Sequence, residues 1–167
     1  TIMVMVPTWV EGVAITGEWD TLGMRGTVSP AVTFDNCFID ENALLGQPGE
    51  VEEKGIEQTF ALGDAAIYIG IAQGAVDWFK EYARSHTFDP SPQPLSHDLL
   101  LQRRVAEMTQ RLEGARYVLY SSCQRYWEES NMGRWYLVSK AKYLASEAAV
   151  FVSNMVAAGL GGRIAHR

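Results

Sequence analysis

The residues that could carry chemistry are few in this sequence and stand far apart. Cys37 and Cys123 are its two cysteines, and their separation matches neither a metal site nor a redox pair. We expect both to be buried free thiols in a reducing compartment, which indicates a cytoplasmic protein. Glu57 precedes an apolar helical stretch, but a carboxylate in the first turn of a helix is typically solvated. These residues alone predict no catalytic centre and no metal site.

The bulk composition narrows the class of protein. Hydrophobic residues make up 47% and charged residues 20% of the 167, which is typical of a globular protein. The net charge is -6 and the basic residues are scattered, whereas a nucleic-acid partner requires a concentrated basic face. Apolar runs stay shorter than the roughly 20 residues that span a bilayer, so no membrane partner is expected.

Most of the chain has a helical pattern. We predict helices at about residues 56–84, 98–130 and 134–160, with Asp98 as an N-cap and the glycines at 159–162 as a stop. Apolar residues in the second and third helices recur every three or four positions and so share one face. In the second they are Leu101, Val105, Met108, Leu112, Ala115 and Leu119, and in the third Leu137, Ala141, Leu144, Ala148, Val152 and Met155. Helices this long with short connections predict an antiparallel bundle.

The first part of the chain has a different composition. Short β-branched runs at 2–6, 12–16 and 27–34 are separated by Gly, Pro and acidic residues, a pattern typical of antiparallel strands. Val32 and Phe34 alternate with polar neighbours and predict a half-buried strand. The composition changes near residues 46–49. We therefore expect part of a β-domain at 1–46 and a helical domain at 47–167.

Glycines and tryptophans give two further expectations. Gly63, Gly70 and Gly74 lie inside the first predicted helix, where each costs about 1 kcal/mol relative to alanine. Close approach of another helix, in the bundle or from another subunit, is the favoured explanation, and a channel wall beside a flat ligand is the alternative. The five tryptophans are expected to be largely shielded from solvent: Trp9, Trp19, Trp78, Trp127 and Trp135.

An ordered set of motifs resembles a known family. Residues 17–27 read Gly-Glu-Trp-Asp-Thr-Leu-Gly-Met-Arg-Gly-Thr, and Phe34 and Asp35 end the following strand. Residues 38–49 then read as a linker. Later stretches are Gly-Ile-Ala-Gln-Gly-Ala-Val at 70–76, Val-Ala-Glu-Met at 105–108, Ala-Ser-Glu-Ala-Ala at 145–149 and Gly-Leu-Gly-Gly at 159–162. Together they resemble the acyl-CoA dehydrogenases over essentially the whole chain.

The resemblance implies a fold and an activity. The fold is mainly α: three long antiparallel helices of the family's four-helix bundle, preceded by part of an antiparallel β-domain, with the fourth helix expected after Arg167. The activity is oxidation of an acyl-CoA thioester between Cα and Cβ, with hydride passing to N5 of FAD. FMN is the alternative flavin.

The resemblance also locates the catalytic base, and it does so outside this chain. The usual Glu is expected beyond Arg167, and the position that some relatives use instead matches Phe60, which cannot accept a proton. Ala61 and Ala158 replace a family arginine and glutamine. No catalytic residue is therefore named.

Flavin contacts are implied at two places by the resemblance. Family members hold a neighbouring subunit's flavin with an Arg and a Phe after the first helix. Phe88 matches the Phe, His86 stands in place of the Arg, and Arg84 lies two residues earlier. Gly161 and Gly162 would allow close approach of the dinucleotide, although a helix C-cap explains them too. Arg25 is expected on the substrate side or in a structural salt bridge.

These departures leave the chemistry open. A two-component flavin monooxygenase of the same fold is the alternative to the dehydrogenase. A third interpretation is that the chain is a non-catalytic fragment that serves only in assembly. The expected partners are an acyl-CoA or another small organic substrate and further copies of the chain, in a tetramer or dimer.

Overall fold

A computed structural model describes residues 2–161 of the chain. Contacts divide the chain into two compact units, residues 1–54 and residues 55–167. The first unit holds two short strands, irregular segments and turns, and a one-turn helix, α1, at Glu50–Glu53. The long helices form the second unit. The division therefore falls after Lys54, a few residues beyond the change in composition.

A two-stranded antiparallel sheet is the regular part of the first unit. β1 spans Val13–Thr16 and β2 spans Ala31–Phe34. Gly12 enters β1 with a φ of +85°, and a Cβ at this position would lie 2.2 Å from the carbonyl oxygen of Asp35. Only glycine therefore allows the two backbones to approach so closely here.

The strands are shorter than the sequence predicts. Of the predicted run 2–6, only Val4 pairs, in a single bridge with Leu44. The predicted strand 27–34 begins only at residue 31, because Val28 has a φ of +40° and interrupts the extended backbone. The prediction of a half-buried strand is also wrong, since every residue of β2 is exposed. A two-stranded sheet has no second layer against which one face could be buried.

Three long helices form the second unit and confirm the mainly α fold. α2 spans Ile56–Ser85, α3 spans Leu99–Arg125 and α4 spans Asn131–Leu160. The two longest have 30 residues each and extend about 45 Å at 1.5 Å per residue. By length and mean hydropathy alone, α2 and α4 could each cross a membrane, a property that core helices of bundles share.

Capping side chains explain where two of these helices begin. The carboxylate of Asp98 accepts from the backbone N–H of Leu100 at 2.7 Å, as an N-cap does, which confirms that prediction. Ser130 caps α4 by accepting from Gly133 N–H at 3.2 Å, so this helix starts three residues before its predicted position. α3 ends earlier than predicted because a 3-10 turn at Tyr126–Glu128 follows it.

The core of the bundle lies where the three helices face one another. The predicted apolar faces of α3 and α4 are confirmed, since every member is buried or packs partly buried against the core. α2 contributes a stripe at the same helical spacing: Ala65, Ile69, Ala72, Val76 and Phe79.

Other faces of the helices remain exposed. The exposed fractions are 85% for Trp9, 70% for Trp127 and 52% for Trp78, so the expectation of shielded tryptophans is wrong. Cys123 is exposed as well, and Cys37 is only half-buried. The three helices bury only the stripes that face each other, and Trp78 and Cys123 lie outside these stripes. Trp9 and Cys37 belong to the first unit, and Trp127 lies in the turn after α3.

Candidate functional site

At the carboxyl end of α2, Arg84 lies close to a second cationic side chain, that of Lys80. Arg84 is exposed, and its Nη1 lies 3.9 Å from a carboxylate oxygen of Glu81, a loose ion pair. With Lys80, one turn earlier, it lines a hollow of about 250 Å³ whose other walls include Leu101 and Val105. Like charges at this spacing repel, and an anion bound between them would relieve the repulsion. Lys80 was not among the predicted site residues, although the four-residue spacing was a signal for it.

His86 is the C-cap residue that follows Ser85, the last residue of α2. Its ring stacks on the ring of Tyr82, with 3.9 Å between ring centroids and 20° between ring planes. The Nδ1 atom lies 3.0 Å from Ser85 Oγ and 3.1 Å from the carbonyl oxygen of Tyr82. An exposed imidazole is thus held in one orientation, with its Nε2 edge turned away from these contacts.

Phe88 lies in a separate hollow. It is half-buried and lines a cavity of about 240 Å³ with Pro94, Leu95 and His97 among its walls. A bridge between Thr87 and Pro94 closes this loop. Arg84 and Phe88 therefore contribute to different hollows, so the predicted flavin-contacting residues do not form one cluster within the described part of the chain.

The end of α4 carries one of the two predicted glycines. Gly161 has a φ of +58° and follows the last helical residue, Leu160, while its N–H donates to the carbonyl of Ala157. No described atom lies within 4 Å of a Cβ placed on it, so the backbone here is open to approach. The geometry serves as a helix C-cap. Gly162 lies outside the described residues.

Arg25 is engaged locally in the first unit. It begins a 3-10 turn, Arg25–Thr27, and its Nε donates to the carbonyl of Thr21 at 2.9 Å. Its guanidinium lies 3.9 Å from Asp20, and both side chains are exposed. These contacts agree with the predicted structural salt bridge of Arg25. The predicted role of Arg25 on the substrate side stays a prediction.

The amino-terminal half of α2 contains the position that the resemblance matches to the catalytic base of some relatives. Phe60 is 72% exposed and lines an open groove of about 320 Å³ with Gly63 and Ile67. The groove also contains Asp64, a carboxylate that was not singled out from the sequence. Its Oδ2 lies 2.8 Å from Nζ of Lys142 on α4, so this carboxylate joins two helices.

The groups at the end of α2 suit the chemistry of a flavin nucleotide. Two cations complement phosphate, an aromatic ring complements an apolar ring system, and a fixed imidazole supplies a hydrogen-bonding group. Lys80 and Arg84 could hold a phosphate in one hollow and Phe88 could pack on an apolar ring in another, so within residues 2–161 these residues and His86 do not form a single flavin site. Across residues 2–161, no group of three or more His, Cys, Asp or Glu residues could hold a metal ion.

Comparisons with known proteins identify the family of the chain and do not test these individual residues. Residues 62–163 match the model of the acyl-CoA dehydrogenase C-terminal domain. Human mitochondrial short-chain specific acyl-CoA dehydrogenase is 30% identical over 95% of this chain and 38% of its own. A dibenzothiophene monooxygenase of Rhodococcus erythropolis is 29% identical over 99% of this chain and 45% of its own.

A solved structure gives the same result for the fold. A dibenzothiophene monooxygenase from Paenibacillus sp. A11-2, crystallised with FMN and indole, superposes with a TM-score of 0.81 at 26% identity. The match covers 98% of this chain and 47% of that protein. The chain thus spans less than half the length of these relatives. Sequence motifs, bundle and family model agree: the chain belongs to the acyl-CoA dehydrogenase family.

Proposed function

We propose that the whole protein is a flavin-dependent oxidoreductase that oxidises an acyl-CoA thioester between Cα and Cβ. The supporting observation is membership of the acyl-CoA dehydrogenase family, with 30% identity to a short-chain specific dehydrogenase over 95% of the chain. The flavin, when bound, supplies the hydride acceptor. To that protein, this chain would contribute the three-helix bundle and, within it, the residues at the carboxyl end of α2.

The proposed cofactor is FAD, with FMN as the alternative because the Paenibacillus relative was crystallised with FMN. Lys80 and Arg84 would balance phosphate charge, and Phe88 would pack on an apolar part of the cofactor. The open backbone at Gly161 would allow a close approach. FAD carries two phosphates and FMN one, so isothermal titration of the whole protein with each flavin distinguishes the alternatives.

A flavin monooxygenase is the second candidate function. Phe60 occupies the position where some relatives carry a base, and a dibenzothiophene monooxygenase is 29% identical. An oxygenase that works with reduced flavin and oxygen does not need a base for an α-proton. The same described residues would serve either reaction, because binding the flavin is common to both.

Anaerobic stopped-flow absorbance distinguishes the two reactions. Butyryl-CoA added to the flavin-loaded whole protein is expected to bleach the flavin, because dehydrogenation reduces it. A 2,2-dimethylacyl-CoA has no α-proton and serves as the matched control, which should leave the spectrum unchanged. If no acyl-CoA of any chain length bleaches the flavin, while reduced flavin and oxygen hydroxylate an aromatic substrate, the dehydrogenase proposal is wrong.

We also propose a homo-oligomer, a tetramer or dimer, and a cytoplasmic location. The exposed glycines Gly70 and Gly74 on α2 support close contact with another copy. The free thiols of Cys37 and Cys123 support a reducing compartment. Sedimentation of the whole protein as a monomer at high concentration would contradict the first proposal, and cell fractionation tests the second.

A further inference from the structure

A groove runs along the surface of the bundle between α3 and α4. It has a volume of about 320 Å³, and its walls include the apolar side chains of Val118, Leu144 and Ala148. Val118 and Leu144 pack against the core but are only partly buried. Apolar side chains left open between two helices indicate a surface on which other apolar side chains can pack.

Two opposite charges line the same groove, one on each helix. Arg111 belongs to α3, and its guanidinium carbon lies 3.9 Å from the ring centroid of Phe151. Glu147 belongs to α4. Both charged side chains are exposed, and neither forms an ion pair with another residue that the structure describes. Stacking on a ring occupies only the flat face of a guanidinium, so the N–H groups at its edge can still bind a carboxylate.

Exposed tyrosines continue this surface along both helices. Tyr143 precedes Glu147 by one turn of α4, and Tyr136 precedes Tyr143 by two turns, so the three share one stripe. Tyr117 stands on α3, one turn after Gly114 of the groove. All three tyrosines are exposed. Tyrosine and arginine are enriched where proteins contact other proteins, which favours a macromolecular partner for this surface.

We propose that the α3–α4 groove packs against the same groove of a second copy of the chain. A two-fold axis that runs along the groove places α3 of one copy over α4 of the other. Arg111 of each copy then lies opposite Glu147 of the other, so the pair forms twice. A two-fold axis across the groove would instead place Arg111 opposite Arg111, and the repulsion disfavours that arrangement.

The two charges are the reason for choosing this occupant. A purely apolar segment would bury a guanidinium and a carboxylate without partners, which is costly. The groove of a second copy supplies both missing partners. A Cβ at Gly114 would meet no described atom within 4 Å, so alanine there leaves the charge pairs unchanged. The inference rests on the proposed homo-oligomer, to which it adds a contact surface, and it is independent of the reaction that the protein catalyses.

Charge reversal in the whole protein tests this contact, with sedimentation over a range of concentrations as the measurement. Arg111→Glu and Glu147→Arg each place like charges opposite one another. Each variant should therefore dissociate into species of half the mass, with a dissociation constant raised by about tenfold or more. An equimolar mixture of the two variants should assemble again, because each copy then meets opposite charges on the other. Glu128→Arg makes the same charge change in the turn after α3 and should leave the assembly unchanged.

The mixture separates a contact between copies from an attraction within one chain. Dissociated single variants whose mixture stays dissociated would overturn the inference, and so would single variants that assemble like the unmodified protein, as expected if another segment of the whole protein covers the groove. A whole protein that sediments as a monomer would overturn both this contact and the proposed homo-oligomer. Circular dichroism checks that each variant is folded. Arg111→Gln is the milder second variant and should weaken association less than Arg111→Glu.

Discussion

The hydroxyl of Tyr126 joins three segments of the helical unit through a short chain of hydrogen bonds. It donates to Gln58 Oε1 at 2.7 Å, and Gln58 Nε2 donates in turn to Asn131 Oδ1 at 2.7 Å. Tyr126 and Gln58 are each only 2% exposed. A Cβ at Gly55 would lie 2.1 Å from the same hydroxyl, so the chain passes close to it without a side chain. The network therefore fixes the start of α2 against the α3–α4 connection.

Replacing Tyr126 by phenylalanine is expected to destabilise the fold. The buried amide oxygen of Gln58 loses its donor, which costs about 1–3 kcal/mol. Urea unfolding followed by circular dichroism measures this change. Tyr117→Phe is the matched control, since Tyr117 is 72% exposed and its hydroxyl is accessible to water. Equal stability of the two variants would contradict this role for the network.

The ion pair between Lys142 and Asp64 makes a small, pH-dependent contribution. The hydrogen bond from the ammonium to the carboxylate raises the pKa of Lys142, reinforced by the attraction between their charges and opposed by partial burial. A raised folded pKa gives stability that is present below the ordinary lysine value near 10.4 and is lost as pH rises through the folded pKa.

The substitution Lys142→Gln should therefore lower stability by less than about 1 kcal/mol at neutral pH, because the side chains of Lys142 and Asp64 are 42% and 46% exposed and water screens their attraction. The difference between variant and unmodified chain should shrink above about pH 10. Lys140→Gln, two residues away on the same helix, is the control. Thermal melts at pH 7 and pH 11 measure both effects, and a difference that grows with pH would refute the ion-pair explanation.

At the scale of a helix, the glycines of α2 behave differently from the favoured prediction. A Cβ added at Gly63, Gly70 or Gly74 meets no described atom within 4 Å, so close packing inside this bundle does not explain them. That part of the prediction is wrong, because all three lie on the face of α2 turned away from α3 and α4. Contact with another subunit or with a flat ligand stays a prediction.

Alanine at Gly70 and Gly74 separates stability from assembly. Each substitution should stabilise the helix by up to about 1 kcal/mol, because alanine is the better helix former. If another helix packs on this face, the added methyl groups should also weaken association. Gly114→Ala on α3 has equally open surroundings and is the control. Higher melting temperature with unchanged sedimentation would argue against an interface at these glycines.

The carboxyl end of α2 shows how helical geometry separates sequence neighbours. Trp78, Tyr82 and His86 follow one another at four-residue steps and stack, with ring centroids 5.4 Å and 3.9 Å apart. Lys80 and Arg84 are also four apart but lie about 200° around the helix from Trp78 and Tyr82. Two residues of separation in sequence therefore place Arg84 and His86 on different sides of the helix.

At the scale of the whole molecule, the chain spans only 38–47% of the relatives compared above. We predict that it binds FAD more weakly than the whole protein does and has no dehydrogenase activity alone. These relatives are more than twice as long as the chain, and a ligand that lacks some of its contacts binds more weakly. Titration of the isolated chain with FAD measures this. Tightly bound, stoichiometric FAD in the purified chain would contradict the prediction.

The sequence by itself determined the family, the three helices and the buried faces of α3 and α4. Local signals decide these features: residues three and four apart share a helix face, and Asp98 caps the helix that follows it. The ordered motifs indicated the acyl-CoA dehydrogenase family for a similar reason, because each motif is a short run of residues that are neighbours in the sequence.

Only the tertiary structure decided what surrounds the candidate site residues. The hollow shared by Lys80 and Arg84 depends on where α3 crosses α2, and the fixed ring of His86 depends on side-chain rotamers and on the return of the chain at Leu95. The exposure of Trp78 and of the α2 glycines likewise follows from which helix faces meet. Such contacts join residues distant in sequence or set by rotamer choice, and helical periodicity alone does not fix them.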